Sequence, residues 1–555
     1  MSETSIPGTT TTRTLALLLG GLLTGVLATG GLVYLGSSWL QGGTPAQAAG
    51  PPVFDDVTAS SGVDHVYDGE FHYFVGGGLA TFDCDGDRLP DMYVAGGTEP
   101  AALYRNQSVP FGDIRFEQVS APVTDLDAVT GAYPIDVDSD GHTDLAVLRL
   151  GENVMLRGTG DCGFERANET WGMDGGDDWT AAFSAFWSEG ESLPTFAFGN
   201  YLRLKESGER DECEDHWLIR PEGTTYSAPE VLTPGYCTLS ILFSDWNRTG
   251  APDLRMTNDR HYYSEGHEQL WDMSATPVEY SSADGWQEMR IWGMGIASQD
   301  LDEDGLPEVF LTSQGDNKLQ TLAEGPAQPT YEDIALASGA TAHRPFVGET
   351  LRPSTAWHGE FDDVNNDGLT DLLITKGNVD AQVDFAAEDP NNLLLGQPDG
   401  TFIESAEAAG ILDYSRSRGA TLTDLNADGL LDLVVVERRE PMRIWRNTGT
   451  PANEAGPGNW LAIDLEQPGP NRDAIGAWLE VEVGGETIER ELTIGGGHAS
   501  GELGWIHFGL GEVDAVRARV TWPDGEVGGW ETLESNQHLI WDRDSGPTPW
   551  SPLRD

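Results

Sequence analysis

Asp363-Val-Asn-Asn-Asp-Gly-Leu-Thr-Asp371 carries side-chain oxygens at its first, third, fifth and ninth positions and a glycine at its sixth. The pattern recurs as Asp83-Cys-Asp-Gly-Asp-Arg-Leu-Pro-Asp91, Asp136-Val-Asp-Ser-Asp-Gly-His-Thr-Asp144 and Asp245-Trp-Asn-Arg-Thr-Gly-Ala-Pro-Asp253. It returns as Asp300-Leu-Asp-Glu-Asp-Gly-Leu-Pro-Glu308 and Asp424-Leu-Asn-Ala-Asp-Gly-Leu-Leu-Asp432. Most intervals between copies run from 53 to 63 residues, and the interval from 136 to 245 is two periods long. Its middle holds Ala182–Asn200, which keeps the flanking apolar runs and lacks the acids. The chain therefore reads as seven repeats, six with an acidic loop, and a fixed period of this size marks a repeat architecture.

Short β-branched and aromatic runs follow the loops: Met92-Tyr-Val-Ala95, Leu145-Ala-Val-Leu148, Val309-Phe-Leu-Thr312, Leu372-Leu-Ile-Thr375 and Leu433-Val-Val-Val436. Such runs between glycine-rich turns read as strands. A weaker repeat begins at Phe54, Phe116, Phe164, Tyr331 and Phe402 and reads as the outer strand of each unit. One copy precedes the first acidic loop and none follows the last, so the N-terminal strand is expected to complete the last unit. The expected fold is all-β: a seven-bladed β-propeller over residues 51–455, with calcium-binding loops, and a small β-rich domain over residues 456–545 with a tail at 546–555. Closing the ring removes sheet edges that invite aggregation.

The loops point to calcium, up to six ions. Calcium takes ~6–8 oxygen ligands in flexible geometry. The expected side-chain ligands are Asp83, Asp85, Asp87 and Asp91; Asp136, Asp138, Asp140 and Asp144; Asp245, Asn247, Thr249 and Asp253; Asp300, Asp302, Asp304 and Glu308; Asp363, Asn365, Asp367 and Asp371; and Asp424, Asn426, Asp428 and Asp432. The seventh position adds a backbone carbonyl, from Leu89, His142, Ala251, Leu306, Leu369 and Leu430. An Asp-Gly pair alone makes a turn, but a turn does not require oxygens at four fixed offsets. Only the first loop breaks the glycine rule, with Gly86 fourth and Arg88 sixth. The loop at 245, with two carboxylates, is expected to bind weakest. These are not EF-hands, which need a bidentate Glu at position 12 and flanking helices.

The 92 Asp+Glu against 31 Lys+Arg give a net charge of −61. Such a surface repels phosphate backbones and excludes nucleic acid as a partner. Six calcium ions would leave most of that charge in place, so the acidity also suits salty surroundings. Residues 1–50 carry an address: Thr14–Gly36 is uncharged and apolar or small, and Ala46-Gln47-Ala48 offers a cleavage site. A signal peptide and an uncleaved membrane anchor both fit. Either places the remainder outside the cell, extracellular or at the cell surface, with membrane attachment only through this segment. Four cysteines in an oxidising compartment allow three pairings. Cys213 and Cys237 flank one polar insertion and are expected to pair, leaving Cys84 with Cys162. Asn106 and Asn168 match the glycosylation sequon.

After Gly456 the acidic loops stop, and Trp460–Leu465, Ala477–Val483 and Val516–Trp522 alternate like strands. Arg472-Asp-Ala-Ile-Gly-Ala-Trp-Leu-Glu-Val481, Gly495-Gly-Gly-His498, His507-Phe-Gly-Leu-Gly511 and Val520-Thr-Trp-Pro-Asp-Gly525 resemble the ASPIC/UnbV domain. The repeats resemble FG-GAP/VCBS repeats of integrin-like propellers. Together they resemble the cartilage acidic protein-like family, which implies a secreted propeller with calcium at the loop carboxylates. The stretch His498-Ala-Ser-Gly-Glu502 departs from the family's usual run.

No HExxH, GxSxG or phosphate-binding glycine loop occurs. The function expected is an extracellular, non-catalytic binding or adhesion module whose partner is a protein or a glycan. The alternative is a calcium-dependent glycan-active enzyme, a lyase or hydrolase, using Asn258-Asp-Arg-His-Tyr-Tyr263 with His267 and Glu268. A third reading is a structural spacer at the cell surface.

Overall fold

A computed structural model describes residues 48–203, 212–259, 266–274, 276–450 and 457–552. The expected signal or anchor, and residues 260–263 of the catalytic alternative, lie outside them. No described helix is long and apolar enough to cross a membrane.

The chain is all-β. Residues 54–447 form seven antiparallel meanders of four strands. The first runs Leu79–Phe82, Asp91–Val94, Ala102–Asn106, Phe116–Val119, and the second begins at Val129–Ile135. The degenerate repeat forms the third sheet, from Thr180–Phe186 and Thr195–Asn200 to Glu230–Leu232. The fourth, fifth and sixth begin at Thr238–Ser244, Gly293–Gln299 and Ala356–Asp362. The seventh comprises Ser417–Thr423, Asp432–Glu437 and Arg443–Asn447, and its fourth strand is Phe54–Asp56 from the N-terminus. The Phe/Tyr-led repeat is thus the outer strand in the first, second, fifth, sixth and seventh sheets.

First strands are almost wholly buried, because both faces meet neighbouring sheets. Each fully buried Leu, Ile or Val there contributes ~1.5–3 kcal/mol. Adjacent sheets share hydrogen bonds: Gly77 N–H donates to Thr130 O at 2.8 Å between the first and second, and Gly419 N–H to Gly77 O at 3.0 Å between the seventh and first. Asn106 ties the same two sheets by donating to Pro90 O and Leu425 O. That use of its amide, with 1% exposure, leaves the Asn106 sequon unavailable for a glycan. Asn168 is likewise buried, donating to Asn153 O.

Both disulfides pair as expected. Cys84–Cys162 joins the loops of the first two sheets, and Cys213–Cys237 closes the polar insertion.

The C-terminal region packs two four-stranded sheets around Leu461, Leu479, Phe508 and Val520. Its sheet does not end at 545: Gly546–Trp550 pairs with Gln537–Asp542, and Trp550 packs on Leu89, so most of the expected tail is structured.

Candidate functional site

In every acidic loop the first Asp turns back on its own chain. One carboxylate oxygen accepts the N–H of position 6: Arg88 at 2.8 Å, Gly141 at 2.9 Å, Gly250 at 2.9 Å, Gly305 at 3.0 Å, Gly368 and Gly429 at 2.7 Å. The ninth residue staples the loop. One oxygen of Asp91, Asp144, Glu308, Asp371 or Asp432 accepts the N–H of position 2 at 2.7–3.0 Å. In four of these the other oxygen accepts an N–H at or near the end of the third strand, as Asn106 N–H does to Asp91 at 2.6 Å.

Positions 4 and 6 both take left-handed backbone in all six loops. Position 4 is Gly86, Ser139, Arg248, Glu303, Asn366 or Ala427, with φ from 56° to 84°. Position 6 is Arg88 at φ 65° and otherwise Gly at 81° to 86°. The first loop therefore keeps the backbone of the others and moves its glycine to the other left-handed position.

Carboxylate oxygens of three residues come within 4.8 Å of one another in three loops: Asp83, Asp85 and Asp91; Asp136, Asp138 and Asp144; Asp300, Asp302 and Asp304. Burial raises several of the loop carboxyls, and neighbouring acids add to it in all of those named next but Asp367. Asp91 is pushed up to about 8, Asp144 to about 9, Asp300 and Glu308 to about 7, and Asp87, Asp136 and Asp367 to about 6. Asp363, Asp371 and Asp432 also rise well above the ordinary range. At position 3, Asp138 Oδ1 and Asn426 Oδ1 are buried without a hydrogen-bond partner. Buried oxygens normally find one, so two orphaned acceptors at the same place in two loops suit a hard cation. Of the seventh-position residues, Leu89 is buried, Leu306, Leu369 and Leu430 are half-buried, and His142 and Ala251 are exposed.

The loop at 245 differs. Asp253 is engaged by Trp246 Nε1 at 2.8 Å and Tyr280 OH at 2.9 Å, and Arg248 at position 4 turns to Glu489. Asn247 Oδ1 accepts the Thr249 hydroxyl at 2.8 Å. Sequence reading missed the arginines of the third strands. Arg105 reaches Asp85, Arg157 reaches Asp138 and Asp140, and Arg446 reaches Asp428 at 3.1 Å. The fifth and sixth sheets have Thr321 and Leu395 at that place, so no arginine enters their loops. The repeated Leu-Tyr-Arg-Asn106 and Ile-Trp-Arg-Asn447 is the signal that could have shown it.

The described residues of the catalytic alternative engage one another. Asn258 donates to His267 O, His267 Nε2 lies 2.9 Å from Glu279, and buried Glu268 accepts Asn258 N–H at 3.0 Å. These are contacts that hold a strand end together.

The C-terminal region covers the acidic loops. Arg88 pairs with Asp464 and Glu466, Asn471 N–H donates to Ser139, and Glu491 accepts Asp245 N–H at 2.8 Å. Arg490 pairs with Asp362 at 2.8 Å, His507 Nε2 meets Asn366, and His538 lies 3.4 Å from Asp424. Residues 467–547 match the family model described as ASPIC and UnbV, and residues 83–147 and 363–435 match FG-GAP-like repeats. The chain carries FG-GAP-like repeats and an ASPIC and UnbV domain. It is similar to mouse cartilage acidic protein 1, 23% identical over 46% of this chain and 37% of that protein. The human protein is 29% identical over 45% and 36%. The match thus spans just over a third of either relative. Among solved structures, an Agrocybe aegerita lectin described as recognising non-reducing terminal N-acetylglucosamine is 15% identical, covering 68% of this chain and 93% of its own, with a TM-score of 0.38. AofleA from Arthrobotrys oligospora is 12% identical over 62% and 92%, with a TM-score of 0.32.

One loop of the ASPIC and UnbV domain does more than cover. Residues 494–502 touch the first strand of all seven sheets. Gly501 and Glu502 pair with Ala80 and Thr81, Ala132 N–H donates to Ala499 O, and Ser184 donates to Ile494 O. Gly496 and Gly497 N–H donate to Ile241 O at 2.8 Å and Ile296 O at 2.7 Å. His498 meets His358, and Glu502 accepts the Thr421 hydroxyl at 3.1 Å. Three consecutive glycines allow this close approach: a Cβ on Gly496 would stand 2.8 Å from Ile296 O.

Proposed function

We propose that this chain is an exported, extracellular calcium-binding module: a closed seven-bladed propeller whose metal loops form the seat for its ASPIC and UnbV domain, binding a partner without catalysis. The observation that carries it is the pair of orphaned buried oxygens, Asp138 Oδ1 and Asn426 Oδ1, at one place in two crowded acidic loops. Side chains at positions 1, 3, 5 and 9 would hold the ion, with the loops at 83, 136 and 300 best provided. The ion supplies positive charge where buried carboxylates otherwise repel, so binding free energy becomes folding free energy. Because the loops lie beneath the ASPIC and UnbV domain, calcium acts here as a staple between domains. Partner binding then falls to the surfaces left open. Two disulfides, the acidic surface and the similarity to cartilage acidic protein 1 support an extracellular place.

Equilibrium dialysis followed by elemental analysis tests this. Several calcium ions per chain are expected, falling by about one in Asp136→Asn; retention of less than one ion by the unaltered chain would sink it.

A further inference from the structure

The fifth sheet's first strand, Gly293–Gln299, has its acidic loop at one end. The other end, roughly 20 Å away at ~3.3 Å per residue, begins at Trp292 and opens on a cavity of about 480 Å³. The ASPIC and UnbV domain covers the loop end and does not line this cavity. Trp292 and Phe385 stand at right angles with ring centroids 6.3 Å apart, making an aromatic corner. Gln314, only 7% exposed, lines the cavity with Asp316, Asp384 and Arg290. Leu351 and Val383, on two loops that also contribute to the cavity wall, are 77% and 72% exposed. A second cavity of about 420 Å³ shares Arg290, Ile291 and Lys318 with the first and continues past Gln287 and Gln320. The two make one elongated depression of ligand-pocket size, ~300–1,000 Å³ for each part.

We infer that this depression is a binding site for a neutral oligosaccharide. The inference rests on the binding-module reading above and names its ligand class. An aromatic corner offers flat apolar faces to the C–H face of a pyranose. Gln314 Nε2 is held by Gln382 at 2.6 Å and Gln320 by Arg255, so the amide of Gln287, the carbonyl of Gln314 and the carboxylates of Asp316 and Asp384 supply the mixed donors and acceptors that ring hydroxyls need. The charge balance selects against acidic sugars. Lys318 is paired with Asp333 at 2.9 Å, Arg290 with Glu288 at 3.6 Å, and His343 with Asp316. With its cations already matched, the depression has no surplus positive charge to draw an anion onto a chain of net −61. Elongation favours several linked sugars over a single one, each adding a modest contact.

The test is calorimetric titration of the purified chain, in calcium, with cellohexaose, xylohexaose, mannohexaose and chitohexaose, and with hexagalacturonate as the acidic control. At least one neutral hexasaccharide should bind and quench tryptophan fluorescence. Trp292→Ala and Phe385→Ala should each weaken it tenfold or more. Asp384→Asn, at the rim, should weaken it several-fold with unchanged melting temperature, and Gln314→Ala, on the floor, should also weaken it several-fold. Binding of hexagalacturonate alone, or of no sugar, or neutral-sugar binding untouched by all four substitutions, would overturn the assignment. Calcium uptake measured on the same samples separates the two readings: failure of every sugar while calcium still binds removes only this site.

Discussion

His498 donates its backbone N–H to Nδ1 of His358 across 3.0 Å, tying the glycine loop of the ASPIC and UnbV domain to the sixth sheet. His358 therefore carries its proton on Nε2, facing Glu360 at 3.1 Å. The His498 ring accepts Gly76 N–H at 3.2 Å and donates to Met294 O at 3.0 Å. Burial pushes both imidazoles down to about 3, so both are neutral at physiological pH. This pair makes the domain an internal strut among the seven sheets.

His498→Ala leaves Gly76 N–H and Met294 O buried and unpaired, which should cost ~2–4 kcal/mol by urea unfolding. Loss of less than 1 kcal/mol would mean the loop is a passive filler.

Gly429 sits at φ 81° with Trp460 packed on it, and a Cβ there would lie 1.9 Å from the indole. Gly429→Ala should cost at least ~2 kcal/mol and loosen the domain interface, read as faster proteolysis between residues 447 and 460. Gly223→Ala, at φ 71° in open space, is the control for backbone strain alone.

Arg157 pairs with Asp138 and Asp140, the side chains that calcium would need at that loop. Removing its charge in Arg157→Gln should tighten calcium at that loop about fivefold, the worth of a partly exposed ion pair. Weaker binding would show that the arginine instead organises the loop.

The raised carboxyls set a pH dependence. Asp91 and Glu360 reach about 8 and Asp144 about 9, all far above their unfolded values. Stability from keeping them protonated is complete below pH ~4 and is lost as pH rises through 8 to 9. Without calcium the melting temperature should fall between pH 5 and 9. With calcium the fall should be shallower, because metal holds the ionised loop carboxylates, and uptake should release protons. Equal slopes in both conditions would place the loops outside metal binding.

The repeat was legible because its oxygens recur at fixed offsets and its strands begin at position 9. The closing strand at Phe54 could be read from one surplus outer-strand motif, and the Cys213–Cys237 pair from the insertion it brackets, which left Cys84 for Cys162. What the sequence hid was contact at a distance. Arg105, Arg157 and Arg446 look like ordinary strand residues until the pleat turns them toward a loop some 20 residues earlier. Gly495–Gly497 read as a family motif with no stated role, since nothing local says that seven strands will close around it. Asn106 and Asn168 looked like surface sequons, but their amides serve as buried ties.

A paired thermal melt, in millimolar calcium and in calcium-free buffer, accompanied by calcium calorimetry, tests the metal staple directly. Several sites and a rise of many degrees with calcium are expected, since metal held only by the folded chain stabilises it by mass action. No heat of binding and an unchanged melt would show that the six acidic loops are turns alone, and the calcium staple proposed between the two domains would be wrong.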